Sequence, residues 1–309
     1  MQRLNGLTFR QLWALQAVSE TGSITQAAEC LHLTPPAVHT QLKTLEENMS
    51  CRMFYRNGNG GFELTAEGKV LLQAQIQSQQ ALWSAMREIE ALRKGLAGSV
   101  TLGVVSTGKY FAPSLVGDIK RRHPEIDIHL TIGNRDQTIS NLRNNALDLV
   151  IMGRPANQTP TSEIVLGDHP HIIILPPNHS LANREYVSPE EILSHQFITR
   201  EMGSGTRILA TRYLEQIAPG LSYQTMEVDS NETIKQAVIA GLGIALISAH
   251  TVTEELNTKR LVMLRRPDLP IIRKWYLLTP KYKEPTGATK AIVDFIQQQN
   301  GSYLPKFPC

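Results

Sequence analysis

Apolar residues recur at helical spacing in three short stretches at the start of the chain. The first stretch covers residues 8–21, the second begins at Ser23 and the third begins at Thr34. Serine and threonine are typical N-cap residues, and proline is tolerated in a first helical turn, as at Pro35 and Pro36. The buried stripe of the third helix is predicted to be Val38, Leu42 and Leu45. Three short helices with a tight turn between the second and third predict a helix-turn-helix.

A glycine- and asparagine-rich turn, RNGNGG, separates two short extended pieces and predicts a β-hairpin after the third helix. Thr65 is then placed to cap a long helix over residues 66–94, and Gly95 and Gly98 are expected to end it and form a hinge. Its narrow apolar stripe among glutamines consists of Leu72, Ile76, Leu82, Met86 and Ile89. Such a stripe favours pairing with a second helix, as in a dimer, and packing on its own domain is the alternative.

From Val100 onwards the pattern changes to strands that alternate with helices. Strands are predicted at 99–105, 126–133, 147–153, 171–176, 223–228, 243–248 and 275–280, and helices at 112–122, 138–144, 206–217 and 231–241. This alternation predicts a mostly parallel, doubly wound sheet, and its length fits two α/β lobes with a cleft between them.

The predicted domains follow from these changes of pattern. They are a DNA-binding domain over 1–65, a linker helix over 66–95 and a two-lobed domain over 96–309. Lobe 1 is expected at about 99–168 and 274–300, and lobe 2 at about 169–273.

Composition fits a globular protein but does not itself indicate a nucleic-acid partner. The chain has 309 residues, of which 41% are hydrophobic and 19% charged, and its net charge is only +3. Residues 1–65 contain five basic and five acidic side chains, so the basic patch that often marks a DNA-binding surface is missing from the count. A DNA-binding function must therefore rest on the sequence pattern.

Cysteine usage indicates a reducing compartment, and hydropathy indicates a soluble protein. Cys30, Cys51 and Cys309 are odd in number and lack CxxC spacing, which argues against a disulfide framework or a zinc site. Cys30 and Cys51 are expected to be small buried side chains, with redox sensing as the alternative. The first twenty residues do not resemble a signal peptide, and no apolar run approaches the roughly 20 residues of a membrane helix. We therefore expect a soluble cytoplasmic protein without a membrane partner.

The segment SITQAAECLHLTPPAVHTQLKTLEE, followed by MFYR and LTAEG, resembles the LysR-type transcriptional regulators over about sixty residues. The resemblance implies a winged helix-turn-helix whose recognition helix, Thr34 to Lys43, enters the major groove of DNA. The DNA-contacting residues it implies are Ser23, Thr34, Pro35, Pro36, His39, Thr40 and Lys43, with Arg52 and Arg56 beside the wing on phosphates. The chain has Thr40 where many members have arginine and Ser50 where many have glycine.

The C-terminal region resembles the same family through SNETIKQAVIAGLGIALIS. Within the family, the phrases VSTGKYFAP, GNRDQTI, DLVIMGRP and REMGSGTR are similar to the regulators of carbon-fixation (RuBisCO, Calvin cycle) operons. The resemblance implies a periplasmic-binding-protein-like regulatory domain and a homodimer or a homotetramer built from dimers.

Several of these phrases also have the features of an anion site. Backbone N–H groups at helix starts favour negative ligands, and ligands of α/β sheets bind beyond the carboxyl ends of strands. The candidate effector-binding residues are Ser106, Thr107, Lys109, Asn134, Arg135, Arg154, Gly205, Thr206, Arg207 and Asn231. Capping or surface roles are the alternative for each of them. A phosphorylated sugar or an organic acid would suit the set, and we expect no cofactor.

Catalytic and metal-binding motifs are weak by comparison. GVVSTGK satisfies most of a P-loop pattern, but Tyr110 follows where serine or threonine should bind magnesium. His169 and His171 are expected to cap or pack rather than to bind a metal.

The sequence therefore predicts an α/β protein with an N-terminal all-α winged helix-turn-helix and a two-lobed regulatory domain. Its expected function is effector-responsive transcriptional regulation, most simply activation, on a pseudo-palindromic promoter site, with RNA polymerase as a further partner. A solute-binding protein with the same two lobes and an enzyme that uses the P-loop-like turn are the rival hypotheses.

Overall fold

The computed structural model describes residues 6–56, 58, 60–93, 96–153 and 160–307. The chain divides into two compact units, Met1–Ser84 and Ala85–Cys309. Three residues singled out from the sequence, Gly95, Arg154 and Cys309, lie outside the described residues.

The first unit contains the expected three helices and hairpin. The helices are α1 (Phe9–Thr21), α2 (Ile24–Cys30) and α3 (Pro35–Met49), and strands β1 (Phe54–Arg56) and β2 (Phe62–Leu64) pair antiparallel. Thr8 caps α1 through a reciprocal capping box with Gln11, and Ser23 caps α2 by accepting from the amide of Gln26. Val38, Leu42 and Leu45 are buried as expected, together with Leu15, Ala28 and Met53.

Two features of this unit differ from expectation or from the family pattern. Cys30 is exposed rather than buried, because it ends α2 about 200° around the helix from the buried Ala28. Cys51 is half-buried against the core. Ser50 follows α3 at φ 56° and ψ 31°, a left-handed conformation that disfavours any residue with a Cβ. The serine therefore adopts the backbone conformation for which glycine is better suited.

Helix α4 (Ala66–Arg93) follows the hairpin. The hydroxyl of Thr65 accepts from the amide of Gly68 at 3.0 Å, which caps the first turn. A Cβ at Gly68 would lie 2.3 Å from the carbonyl oxygen of Met53, so the glycine allows the helix to approach that backbone. Leu72 packs on the core of the first unit, whereas Met86 is 58% exposed. The other large apolar side chains exposed further along the helix are Leu82, Trp83, Ile89 and Leu92.

Lobe 1 of the second unit is built on parallel strands. Strand β3 (Gly98–Val105) pairs parallel with β4 (Ile126–Gly133) and with β5 (Leu149–Met152). The helices of this lobe are α5 (Ala112–Arg122), α6 (Arg135–Arg143) and α11 (Gly287–Gln298). Helix α6 begins three residues earlier than expected because Asn134 caps it through a reciprocal bond with Gln137.

Lobe 2 contains the remaining short elements. Strands β7 (Phe197–Arg200) and β8 (Thr225–Val228) pair parallel, while β9 (Ala245–Ser248) and β10 (Val262–Met263) pair antiparallel with the long strand β6 (Thr161–Leu175). Its helices are α7 (Pro189–Leu193), α8 (Gly205–Ile217), α9 (Asn231–Ile239) and α10 (Thr253–Asn257). Two apolar clusters on either side of β6 and β9 form its core.

Two long antiparallel strands, β6 (Thr161–Leu175) and β11 (Ile271–Pro280), join the lobes, and we call them the crossing strands. The large sheet runs β10-β6-β11-β5-β3-β4, with β9 also on β6, so it is mixed rather than mostly parallel. The expectation of a mostly parallel sheet was wrong because the apolar run at 171–176 marks only the second half of β6. The first half includes Glu163 and Asp168 and does not read as a buried strand.

No helix in the described part of the chain combines the length and the apolar composition that a membrane crossing needs.

A stack of aromatic rings lies where the crossing strands pass between the lobes. His169 stacks on Trp275 with ring centroids 3.8 Å apart, and the Trp275 indole donates to Nδ1 of His250 at 3.1 Å. His171 and His169 are both buried. The described residues contain no group of three or more side chains placed to hold a metal ion. Burial and ring stacking show that His169 and His171 pack within the protein.

Burial lowers the pKa of all three histidines. It lowers the pKa of His171 to about 3 and that of His250 to about 4, and the pKa of His169 lies well below 6.5. Neighbouring histidines and Arg273 add to the effect on His169. At a pH somewhat below 6.5, these rings therefore stay neutral in the folded protein, whereas the same histidines in an unfolded chain would be protonated.

We predict that the second unit loses stability as the pH falls below about 6.5. A histidine whose folded pKa is depressed contributes its full stability above the unfolded pKa, and each contributes a slope of up to about 1.4 kcal/mol per pH unit below it. The melting temperature measured from pH 7.5 to pH 5 should fall. His171→Asn can retain a donor to the carbonyl of His169, which lies 3.0 Å from Nδ1, and should flatten the fall. An unchanged slope in this variant would contradict the assignment.

Candidate functional sites

The first candidate site is the exposed surface of α3. Thr34 occupies the N-cap position without a side-chain capping bond, and Pro35 and Pro36 fill the first turn. His39 and Lys43 are exposed on the following turns of the helix. The side chain of Thr34 therefore has no capping role that would compete with a ligand contact.

The remaining polar side chains of this surface make only local contacts. The hydroxyl of Thr40 donates to the carbonyl of Pro36 at 2.9 Å, which leaves its lone pairs facing solvent. Nζ of Lys43 lies 3.9 Å from the Glu47 carboxylate one turn away, an exposed pair that contributes little stability. Ser23 is half-buried and serves as the cap of α2. The fold therefore leaves the α3 side chains available to a partner.

Two exposed arginines lie on or next to the hairpin that follows α3 in the sequence. Arg52 precedes β1, and its carbonyl accepts from the hydroxyl of Thr65 at 2.8 Å. Arg56 ends β1, and its guanidinium lies 5.2 Å from the ring centroid of Phe62 across the hairpin. That contact orients a cation at the wing, where contact with a phosphate backbone is possible.

The second candidate site is the cleft between the two lobes. Strand β3 ends in a 3-10 turn, Ser106–Tyr110, whose Thr107 is buried. Asn134 follows β4 in the same lobe. Across the cleft, lobe 2 contributes Arg200 at the end of β7, Ser204 before α8 and Asn231 at the start of α9. The cleft therefore lies at strand and helix ends, where α/β folds bind ligands.

Arg200 is the central contact between the lobes. Its guanidinium is 3% exposed, and Nη1 donates to Oγ of Ser106 in lobe 1 at 3.2 Å and to Oδ1 of Asn231 at 2.7 Å. Nε and Nη2 donate to the two carboxylate oxygens of Glu201 at 2.6 and 2.9 Å. Nδ2 of Asn134 donates to the same carboxylate at 3.1 Å.

Charges in the cleft shift the pKa of its carboxyl groups. Burial acts to raise the pKa of Glu201, but hydrogen bonds from Arg200 and Asn134 outweigh it and hold that pKa below its ordinary value. Glu201 is therefore an anion at neutral pH.

A second charged network lies beside Arg200. Lys109 forms an ion pair with Glu232, and the hydroxyl of Tyr110 donates to that carboxylate at 2.6 Å. Lys235 lies 4.9 Å from the centroid of the Tyr110 ring and pairs with Glu255 at 2.9 Å. Burial raises the pKa of Tyr110, and the bond to Glu232 adds to that rise, so the phenol stays protonated.

The other candidate cleft residues occupy different positions. A Cβ added at Gly205 would lie 3.5 Å from Cδ of Arg135, so these two candidates approach each other across the cleft. The amide of Asp136 also donates to the carbonyl of Gly203 at 3.1 Å. Thr206 is buried in the first turn of α8. Arg207 instead donates to the carbonyl of Arg200 and pairs with Glu227 on β8, within its own lobe.

Sequence reasoning missed the residues that hold the cleft together: Arg200, Glu201, Tyr110 and Glu232. Arg200 and Glu201 open the phrase REMGSGTR, but the strand that ends at Arg200 was not predicted, so its position gave no usable signal. The bond between Tyr110 and Glu232 joins residues 122 positions apart and left no signal in either local pattern.

The P-loop-like segment does not form an open phosphate-binding loop. Gly103 lies inside β3, where a Cβ would come within 2.5 Å of the Leu147 side chain. The following turn is 3-10 helical, and its Lys109 is paired with Glu232. The first glycine is therefore required for packing.

Comparisons with known proteins cover both units. Residues 9–69 match the family described as "Bacterial regulatory helix-turn-helix protein, lysR family", and residues 93–301 match "LysR substrate binding domain". The chain is 43% identical over 309 residues to the HTH-type transcriptional regulator CbbR of Cereibacter sphaeroides, with 100% of each chain covered. It is 34% identical to the RuBisCO operon transcriptional regulator of Allochromatium vinosum, covering 94% of this chain and 95% of that one.

Solved structures agree with this assignment. The regulatory domain of Synechocystis PCC6803 CcmR in complex with 2-PG matches with a TM-score of 0.62 and 30% identity, over 65% of this chain and 97% of that one. Full-length CbnR complexed with its target DNA matches with a TM-score of 0.67 over 94% of this chain and 99% of that one. Its 16% identity shows likeness of fold alone.

The matched helix-turn-helix and substrate-binding regions, together with relatives that span the whole chain, place this protein in the LysR family of transcriptional regulators.

Proposed function

We propose that this regulator activates carbon-fixation genes in response to a small anionic metabolite. The observation that carries the proposal is the 43% identity to a CbbR regulator over the full length of both chains. A solute-binding protein with the same two lobes would have no use for the family's helix-turn-helix, which matches residues 9–69. This argument disfavours the first rival hypothesis.

The DNA-binding step is assigned to the exposed face of α3 and to the wing. His39 and Thr40 are offered to base edges, while Lys43, Arg52 and Arg56 are offered to phosphates. The relation to CbnR, whose structure was solved with its target DNA, is consistent with this use of the fold.

The sensing step is assigned to the cleft around Arg200. Its basic groups and helix starts suit a carboxylate or a phosphate, and the CcmR regulatory domain with the same fold was solved with 2-PG. An effector acts by binding one arrangement of the lobes better than another, since only a difference in affinity shifts an equilibrium. The P-loop-like segment contributes Lys109 to this charged cleft, and that role requires no enzyme activity.

Assembly is assigned to α4. Met86 and Ile89 are 58% and 52% exposed on one face of the helix, and a second copy of the helix would cover them. Such a dimer would present two recognition helices to the half-sites of a promoter, and two dimers would form a tetramer. We place the protein in the cytoplasm, where promoter DNA and RNA polymerase are available.

We predict that the protein retards its own upstream DNA in a gel-shift assay and that an anion changes this binding. Sugar phosphates, phosphoglycolate and nicotinamide nucleotides should be tested, and the same compounds screened by thermal shift. A ligand at about one hundred times its Kd stabilises a protein by about 2.7 kcal/mol, or roughly 5–10 °C here. No retardation at low salt by folded protein would contradict the regulator, and no stabilisation by any compound would contradict the anionic effector.

Lys43→Ala and Arg56→Ala should each weaken DNA binding across all sequences. Each removes a phosphate-contacting charge, so the slope of log K against log salt should fall by about one per residue. Affinity and slope are measured by fluorescence anisotropy at several salt concentrations. Lys306→Ala removes an equally exposed charge from the other unit and should leave both unchanged. Unchanged binding by both DNA-surface variants would show that the recognition helix is misplaced.

Met86→Glu should shift the protein toward monomers in analytical ultracentrifugation, because it buries a carboxylate in the proposed helix pair. Ser84→Glu adds the same charge on the opposite face of α4 and is the matched control. An unchanged oligomeric state in the Met86 variant would place the assembly surface elsewhere.

A further inference from the structure

The cleft holds a buried cation whose charge is balanced from within the chain. Arg200 is buried between the lobes, and a guanidinium cannot lose its proton in a protein. A buried cation requires a paired anion, because desolvation without a partner is strongly unfavourable. In this structure the anion is the carboxylate of the adjacent residue, Glu201, which binds Nε and Nη2 with both of its oxygens.

The Glu201 carboxylate is held as a bound organic acid would be. It receives two bonds from Arg200 in lobe 2 and a third from Nδ2 of Asn134 in lobe 1. Bidentate pairing with a guanidinium is the geometry in which arginine recognises carboxylate and phosphate groups generally. The Glu201 side chain is 24% exposed, whereas that of Arg200 is 3% exposed. Glu201 can therefore turn toward solvent while Arg200 stays in place.

A second observation also indicates an acceptor at this position. Asn231 is 1% exposed, and its Oδ1 accepts from Nη1 of Arg200 at 2.7 Å. Its Nδ2 has no hydrogen-bond partner among the described residues. Buried amide donors are nearly always paired, so an unpaired one beside a guanidinium marks a place where an acceptor oxygen is favoured.

The geometry points to Glu201 as an intramolecular competitor for the anionic group of the effector, at a receptor formed by Arg200 and Asn231. The inference rests on the proposed sensing function and names the group that the effector must displace. An incoming carboxylate or phosphate takes over the bonds from Arg200 and reaches Nδ2 of Asn231. Glu201 then loses its place at Arg200, and its bond to Asn134 across the cleft breaks with it.

Competition of this kind sets both affinity and selectivity. The apparent affinity for an anion is reduced by the fraction of molecules in which Glu201 occupies the receptor. A neutral metabolite of the same shape cannot replace the carboxylate, because it would leave Arg200 buried without a counter-charge. The arrangement therefore selects anions and sets a threshold concentration for the response.

The test compares anion binding by the full-length protein and its Glu201→Gln variant, using isothermal titration calorimetry with phosphoglycolate and 3-phosphoglycerate. Glutamine keeps the size of the side chain but not its charge, so the competitor is removed. We expect the variant to bind at least one of these anions about tenfold more tightly than the unsubstituted protein. Glu201→Asp keeps the charge that Arg200 needs for folding but shortens its reach, and it should show a smaller gain.

Glu232→Gln is the matched control, because Glu232 is a cleft carboxylate that pairs with Lys109 and Tyr110 rather than with Arg200. An equal gain in this variant would assign the effect to general charge in the cleft and overturn the inference. Binding by the unsubstituted protein with no gain in either Glu201 variant would also overturn it while leaving the anionic effector intact. No binding by any of these proteins would overturn both, and retardation of DNA would still test the regulator separately.

Discussion

The two lobes of the second unit depend on one buried charge. The Arg200 guanidinium bonds to Ser106 in lobe 1, to Asn231 in lobe 2 and to the neighbouring Glu201 carboxylate. Removing one partner of a buried ion pair typically costs about 3–5 kcal/mol, whereas a surface pair contributes about 1 kcal/mol or less. Breaking the Arg200 pair would therefore cost more than breaking an exposed pair around the cleft. Any state of this domain must present an anion to Arg200, which limits the chemistry the cleft can accept.

The crossing strands determine how a change at Arg200 affects the arrangement of the whole domain. Among the strands that the structure describes, β6 and β11 alone belong to both lobes, so contacts across the cleft contribute strongly to the arrangement of the lobes. At the passage between the lobes, His169 stacks on Trp275 and bonds to Ser248 at 3.0 Å, and packing there is tight. Closely packed interiors favour discrete arrangements over gradual deformation. A change at Arg200 is therefore better transmitted as a shift between arrangements than absorbed locally.

Local sequence rules predicted many of the elements, although β7 and α11 were missed, and long-range pairing escaped them. Thr8, Ser23 and Thr65 cap the helices they were expected to cap, because a cap depends only on neighbours within one turn. The first half of β6 was missed because its apolar pattern is interrupted by charge, and its structure comes from pairing with β11 more than a hundred residues away. The same limit applies to the cleft. Asn134 and Asn231 were selected from their local positions, but Arg200 was not, since its importance arises only from partners supplied by both lobes.

The two units use polar groups in opposite ways. On α3 the candidate contacts are exposed and bonded only locally, so a duplex gains their interactions without first breaking strong ones. In the cleft Arg200 is already bonded to the Glu201 carboxylate, so a ligand gains only the difference between its own bonds and those it replaces. That difference is what a sensor requires: a ligand that binds every arrangement equally shifts none. The Glu201 carboxylate therefore weakens anion binding and, by the same interaction, lets binding shift the arrangement of the lobes.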